Sequence, residues 1–201
     1  MVSAQLISNG GSTFSHNPSL PRKMTTLNTL QDLLIEKLQD LHNAEIQLVK
    51  ALPKMADAVS NDELKAIFTV HLEQTKGHIE RLERALEILN ASPTGRICYA
   101  MKSLVEESEE ALNTKAPEAV HDANLIGAAQ RVEHYEIAAY GTACSFAEKL
   151  GENDVASLLQ MTLDEEIDTD RYLTALSEII NDLASTVGSE TEQESFKVSS
   201  K

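Results

Sequence analysis

Acidic residues and histidines interrupt four otherwise apolar helical patterns in this sequence of 201 residues. In each of the four segments, apolar residues recur alternately three and four positions apart, which predicts a helix with one face buried in a core. Near its middle, each buried face carries polar residues instead. These are Glu45 in the first segment, His71, Thr75 and His78 in the second, Glu136 in the third, and Glu166 and Thr169 in the fourth.

Carboxylates at buried positions indicate a bound cation. A charged carboxylate is strongly unfavourable in an apolar core unless it is paired, protonated or bound to a metal. Three carboxylates that converge at one level of a bundle would also repel one another. A divalent metal relieves both problems, and carboxylate and imidazole ligands suit iron, manganese or zinc. The sequence therefore predicts a divalent-metal site in the core.

Each polar residue also has a simpler explanation when it is taken alone. A single histidine on a buried face is commonly a hydrogen-bonded core residue, and a single glutamate can extend to solvent. Thr75 and Thr169 can donate to backbone carbonyls of the preceding helical turn. Solvated grooves or ion pairs between subunits are the alternatives to a metal. The convergence of several such residues on one level favours the metal.

Other polar residues lie within one turn of Glu45, Glu136 and Glu166 and extend the candidate site. Tyr140, one turn after Glu136, is expected to donate a hydrogen bond to that carboxylate. The complete set of candidate metal ligands is Glu45, Gln74, His78, Glu133, Glu136, Glu165, Glu166 and Asp170.

Four helices must position these residues, and the breaks between them predict two hairpins. Short polar segments at 60–62 and 151–154 separate the first helix from the second and the third from the fourth, and each contains residues suited to cap a helix N-terminus. Pro53 lies within the first helix, where a local kink is expected. Between the hairpins, a further helix is predicted at about 97–112, in a connection long enough to cross the bundle.

The second hairpin repeats the first after a shift of 91 residues, without a gap. The shift pairs Glu45 with Glu136 and places the turn residue Ser60 on Gly151. An internal duplication of hairpins is the simplest interpretation. The sequence thus predicts an all-α fold, an antiparallel four-helix bundle made of two duplicated hairpins, with a long crossover that contains an extra helix.

Composition defines the ends of the bundle and excludes some partners. We expect the bundle at residues 25–184, a flexible N-terminal extension at 1–24 and a disordered acidic and polar tail at 185–201. The formal charge of −15 argues against nucleic-acid binding and against a basic membrane-binding patch. No run of about 18 apolar residues predicts a membrane span. Cys98 and Cys144 have no motif spacing, so we expect buried free thiols and a cytoplasmic location.

The motifs resemble those of the YciE/YciF family of ferritin-like bacterial stress proteins, over about residues 26–183. The resemblance is carried by residues 40–45 (DLHNAE), 71–75 (HLEQT), 132–138 (VEHYEIA) and 163–166 (LDEE). It implies a ferritin-like bundle with a dinuclear metal site between four helices, for which iron is the first choice and manganese or zinc the alternatives, and an association with stress responses.

The sequence departs from the usual di-iron pattern at two positions. That pattern has Glu-x-x-His on both the second and the fourth helix, but here the corresponding pairs are Thr75-x-x-His78 and Glu166-x-x-Thr169. Each hairpin therefore lacks one ligand of the pattern. Other residues within one turn can compensate, which leaves open a rearranged, weaker, mononuclear or relic site. These are Gln74, Glu133, Glu165 and Asp170.

Three functions are compatible with these features. The first is a metal-dependent oxidoreductase that handles oxygen or peroxide, the second a non-enzymatic stress or scaffold protein with a relic site, and the third iron storage in a closed shell. Whether the protein is an enzyme stays open. We expect a homodimer, with metal ions and oxygen or peroxide as its small partners.

Overall fold

The computed structural model describes residues 26–187 and consists there of five α-helices without a strand. The helices are α1 (Leu30–Ala58), α2 (Asp62–Ile88), α3 (Tyr99–Leu112), α4 (Glu118–Leu150) and α5 (Asn153–Thr186). The predicted extension at 1–24 and residues 188–201 of the predicted tail lie outside the described range. Helix α5 continues two residues beyond the predicted end of the bundle.

Local capping explains where the first hairpin begins and turns. Thr29 and Asp32 form a capping box at the start of α1, in which the Asp32 amide donates to Thr29 Oγ1 at 3.0 Å. The Asn61 side chain accepts from the first amides of α2, at 3.0 Å from Glu63 N and 2.9 Å from Leu64 N. Asn61 therefore acts as the cap expected in the first turn.

The second turn differs from the expectation. The residue before α5 is Glu152, and its side chain makes no capping hydrogen bond. Helix α4 instead ends at Gly151 in the left-handed conformation, with φ of 77°. Glycine is favoured there because it has no Cβ to clash. The second turn thus depends on a glycine C-cap rather than on a polar N-cap.

Two apolar clusters fill the bundle, one toward each end. The first contains Leu48, Phe68, Val132 and Leu173, and the second contains Leu38, Leu82, Tyr140 and Leu159, among others. On each of α1, α2, α4 and α5, the polar positions fall between residues of the first cluster and residues of the second. The polar layer therefore lies between the two apolar clusters, whose packing holds the four helices together.

The crossover helix α3 packs on α1 and α4. Its start is fixed by α1, because Asn43 Oδ1 accepts from Cys98 N at 2.8 Å and Gln47 Nε2 donates to Cys98 O at 3.1 Å. These contacts keep residues 97 and 98 out of the helix, which begins two residues later than predicted. Both cysteines are buried free thiols.

The duplication is visible in the helix boundaries. A shift of 91 residues moves Asp62, the first residue of α2, onto Asn153, the first residue of α5. Helix α1 continues through Pro53 to Ala58. Within the described range no helix is sufficiently long and apolar to cross a membrane.

Candidate metal centre

Two groups of buried side chains with metal-ligand chemistry meet in the polar layer. The first consists of His71, Glu133, Glu136 and Glu166, and the second of Glu45, His78 and Glu166. Within each group, one nitrogen or oxygen atom from every residue lies within 4.8 Å of all the others. Glu166 belongs to both groups, so the two groups adjoin.

Helical periodicity brings these residues onto one level. His71 and His78 are two turns apart on α2, and Glu133 and Glu136 are three residues apart on α4, so each pair lies on one helix face. Glu45 enters from α1 and Glu166 from α5. All four long helices therefore contribute, and no side chain of the two groups is more than 3% exposed.

The two histidines connect the groups through their ring nitrogens. His78 Nδ1 lies 2.9 Å from Glu166 Oε1 and 3.4 Å from Glu45 Oε1. His71 Nε2 lies 3.4 Å from Glu133 Oε1 and 3.6 Å from Glu166 Oε2. Each histidine thus directs one ring nitrogen toward a pair of carboxylates.

The residues present fit a bound metal, because many of their ligand atoms have no hydrogen-bond partner. Of the nine such buried side-chain atoms within residues 26–187, eight belong to the two groups. His78 Nδ1 and His71 Nε2 are among them, since their short distances to carboxylates lack hydrogen-bond geometry. Both oxygens of Glu136 and both of Glu166 are also without a partner. Buried polar atoms are otherwise almost always satisfied, so this concentration points to ligands of a cation.

Burial and mutual repulsion disfavour the charged forms of two carboxylates on α4. Removal from water raises the pKa of Glu136 well above its usual value, and the charges of Glu45 and Glu166 raise it further. The pKa of Glu133 is raised for the same reasons, and the charge of Glu166 contributes more than that of Glu45. A divalent cation would offset both effects, because its charge stabilises the ionised carboxylates.

The charges near Glu166 act in the opposite direction. Burial lowers the pKa of His78, but attraction to the carboxylates of Glu166 and Glu45 beside Nδ1 outweighs burial and brings the pKa to about 10. Burial alone would raise the pKa of Glu166, yet His71 and His78 lower it. In the metal-free protein, the His78 imidazolium therefore supplies part of the positive charge that a cation would bring.

Hydroxyl groups contact two of the candidate ligands, Glu45 and His71. Tyr140 Oη donates to Glu45 Oε1 at 2.5 Å. The sequence paired Tyr140 with Glu136 instead, and this was wrong because the tyrosine reaches across to α1 rather than along its own helix. Thr75 donates to the backbone carbonyl of His71 at 2.8 Å, and Thr169 Oγ1 lies 3.3 Å from His71 Nδ1. Both threonines thus support His71.

The structure brings five of the eight predicted ligands into the two groups and leaves three outside. Gln74 and Glu165 are half-buried and line a surface depression between α2 and α5. Asp170 lies 3.2 Å from His134 Nε2 and belongs to neither group, although its charge helps to raise the pKa of Glu133. Glu165 still touches the site, because its Oε2 lies 2.8 Å from His78 Nε2. The five residues within the groups are Glu45, His78, Glu133, Glu136 and Glu166.

His71 is a candidate ligand that the predicted set omits. The comparison with the di-iron pattern and the internal repeat both direct attention to positions 75 and 78, and the repeat places His71 opposite Thr162. The signal that could have found it is the seven-residue spacing to His78, which puts both imidazoles on one helix face.

Comparison with known proteins identifies the family of this chain. The family described as a domain of unknown function, DUF892, matches residues 29–185. The chain is 45% identical to the protein YciF of Escherichia coli strain K12 over 152 aligned residues. The alignment covers 75% of this chain and 92% of YciF. The crystal structure of the E. coli stress protein YciF matches with a TM-score of 0.75 and 44% identity, covering 78% of this chain and 99% of that one.

More distant structures share the fold. A structure of ferritin-like diiron-carboxylate proteins from Bacillus anthracis strain Ames has a TM-score of 0.58 and 18% identity, covering 75% of this chain and 99% of that one. A dodecameric thioferritin of Bacteroides fragilis, a bacterioferritin-related protein, has a TM-score of 0.60 and 15% identity, covering 78% and 92%. These likenesses confirm the predicted all-α, ferritin-like fold. The chain belongs to the DUF892 family and is a relative of the stress protein YciF, which confirms the predicted YciE/YciF relationship.

Proposed function

We propose that this protein is a ferritin-like stress protein that binds two divalent cations, most readily iron, in its polar layer. The observation that carries the proposal is the pair of adjoining ligand groups, with eight buried ligand atoms that have no hydrogen-bond partner. His71, Glu133 and Glu136 would hold one ion, Glu45 and His78 the other, and Glu166 would bridge them. Manganese or zinc could occupy the same ligands.

When bound, a pair of iron ions supplies electrons for the reduction of oxygen or peroxide, and we propose this as the chemistry of the site. The protein's contribution is to exclude water and to orient the ligands. The apolar clusters on either side of the layer exclude bulk water. Tyr140 holds Glu45 through its hydroxyl group. Burial and the charge of Glu45 raise the pKa of Tyr140 well above its usual value, so the hydroxyl stays protonated and acts as a hydrogen-bond donor to Glu45 Oε1.

Metal analysis combined with thermal unfolding tests the proposal. Protein produced without a tag in iron-supplemented cells is expected to retain close to two metal ions per chain. A ligand that binds the folded state at 100 times its Kd stabilises it by about 2.7 kcal/mol, so removal of the ions by a chelator should lower Tm by several degrees. If the protein retains less than about a tenth of an ion per chain and its Tm does not change on addition of a chelator, the proposed metal binding is wrong.

A non-enzymatic scaffold with a relic site is the second candidate, and the raised pKa values of Glu133 and Glu136 favour it. Protonated carboxylic acids can persist in a core without a metal. In that case the only role of the polar layer would be to fix the register in which the four helices align. The metal analysis separates the two candidates directly.

Iron storage requires a large closed assembly. We propose a cytoplasmic homodimer instead, and light scattering distinguishes the mass of a dimer from that of a closed shell.

A further inference from the structure

The depression between α2 and α5 lies directly outside the second ligand group. It is lined by Val70, Gln74, Gly77, Arg81 and Glu165, among others. Glu165 Oε2 accepts from Arg81 Nη2 and lies 2.8 Å from His78 Nε2. The opposite ring nitrogen, His78 Nδ1, faces Glu45 and Glu166. One imidazole ring therefore separates this surface depression from the ligand group.

The ion pair at this place is accessible, unlike the ligands behind it. The Glu165 side chain is 32% exposed and the Arg81 side chain 17%, whereas His78 is fully buried. Arg81 is held over the seam by a second bond, because its Nε donates to Thr162 Oγ1 on α5 at 2.9 Å. Arg81 thus joins α2 to α5 and covers the seam beside His78.

The fold leaves this face open and covers the opposite one. Helix α3 packs on α1 and α4, whereas in residues 26–187 no fifth helix lies over α2 and α5. Among the ion pairs of the described residues, Glu165 is the half-exposed carboxylate that contacts a member of either ligand group. The α2–α5 seam therefore connects solvent to the second ligand group through Glu165 and His78.

Gly77 has no structural requirement to be glycine. It lies within α2, where glycine is unfavourable compared with alanine. A Cβ added at this position would meet nothing closer than Arg81 Nη1, at 4.0 Å. The backbone and the neighbouring atoms would thus accept a side chain. The effect of glycine here is to leave the depression open beside Arg81.

We propose that divalent cations reach the ligand groups across the α2–α5 seam at Gly77, and that the Arg81–Glu165 ion pair is the gate at this entry. The inference rests on the proposed metal binding. Arg81 repels an arriving cation while it is paired over the seam, and it must swing away from Glu165 for the cation to pass. Glu165 then offers a carboxylate oxygen next to His78.

The rate of Co²⁺ uptake by the full-length metal-free chain tests the route, with the visible absorption of bound Co²⁺ as the readout. Gly77→Leu fills the depression and should slow uptake by about tenfold or more, without a change in the number of ions bound at equilibrium. Gly127→Leu is the matched control, because Gly127 is also helical, also precedes an arginine by four residues, and has Arg131 Nη1 at 3.9 Å from its Cβ position. It should take up Co²⁺ at the rate of the parent protein.

Variants of Arg81 test the proposed gate independently of the Gly77→Leu variant, which fills the depression. Arg81→Gln removes the positive charge and should speed uptake by about tenfold at low salt, whereas Arg81→Lys should remain close to the parent protein. Equal rates for Gly77→Leu and Gly127→Leu would overturn the route, and an unchanged rate for Arg81→Gln would overturn the gate. If the parent protein binds no Co²⁺ at equilibrium, the proposed function itself fails, and the entry route fails with it.

Discussion

Glu166 is the residue on which both ligand groups depend, and its substitution should remove both ions. Each of its oxygens faces a different histidine, His78 for Oε1 and His71 for Oε2. We expect Glu166→Ala to reduce bound metal from about two ions per chain to near zero, because each group then loses a ligand. Elemental analysis after gel filtration measures this. Asp170→Asn, one turn away on the same helix, is the control and should keep its metal.

Glu136 should be a source of instability in the metal-free protein. Both of its oxygens are buried without a hydrogen-bond partner. Replacing such a group by an apolar one of similar size should raise the free energy of unfolding of the metal-free protein by about 2 kcal/mol. We therefore expect Glu136→Leu to have a higher Tm in chelator and a smaller gain in Tm on metal addition.

The neighbouring Glu45 provides the contrast for that experiment. Glu45→Leu would leave the Tyr140 hydroxyl buried without its acceptor, which costs about 1–3 kcal/mol and offsets the gain. A Glu136→Leu protein less stable than the parent in chelator would show that the carboxylate is satisfied in the metal-free state.

The eight predicted ligands show what a sequence pattern can and cannot specify at the scale of single residues. Glu45, Glu136 and Glu166 were identifiable because each interrupts an apolar helical face. Glu165 was included because it lies next to Glu166, but successive residues on a helix point about 100° apart. Its side chain therefore faces the surface side of His78 instead of the centre of the layer.

At the scale of elements, Asp122 links the two hairpins. It is 2% exposed, and its two oxygens accept from Ser60 N at 3.0 Å and from Asn61 N at 2.9 Å. A carboxylate on α4 thus caps the turn between α1 and α2. This contact has no local signal in the sequence, since the partners are about 60 residues apart.

Removal of this carboxylate should destabilise the protein well beyond a surface change. We expect Asp122→Ala to lower the free energy of unfolding by about 2–4 kcal/mol, because two charge-assisted hydrogen bonds are lost and two amides are left without partners. Denaturant unfolding measures the loss. Asp168→Ala, which breaks only an exposed pair with Arg171 at 3.1 Å, should change the stability by less than about 0.5 kcal/mol. Similar losses for both variants would contradict the capping role.

The helices could largely be predicted from the spacing of apolar residues. The errors concern the starts of α3 and α5. The start of α3 was placed two residues early because Asn43 and Gln47 on α1 hold Cys98 in an extended conformation. The start of α5 lacks the expected polar cap because Asn153 and Asp154, the residues suited to cap it, already lie inside the helix. Neither effect is visible in the local sequence.

At the scale of the whole molecule, the polar layer makes the stability of the metal-free protein dependent on pH. Glu136 and Glu133 have pKa values well above 4.5 in the folded state, and His78 has a pKa of about 10 instead of 6.5. The folded state therefore holds more protons than the unfolded state between about pH 4.5 and pH 10. Stability from these groups is fully present at low pH in that window and is lost as pH rises.

We accordingly expect the Tm of the metal-free protein to fall between about pH 5 and pH 9, whereas the stabilisation gained from added metal should increase with pH, because ligands must lose protons to bind. Thermal unfolding in chelator and in excess Mn²⁺ across this window measures both trends. Glu136→Leu should flatten the first trend. A metal-free Tm that rises steadily from pH 5 to pH 9 would contradict the assignment of raised pKa values.

The duplicated hairpins have diverged in complementary directions. The first contributes both imidazoles and a single carboxylate, and the second contributes three carboxylates and no imidazole. A hybrid chain made of two first halves would lack Glu166, the residue that both ligand groups share, and one made of two second halves would lack the histidine ligands of both groups. The halves have therefore ceased to be interchangeable copies, and a descendant that loses either one loses ligands from both groups at once.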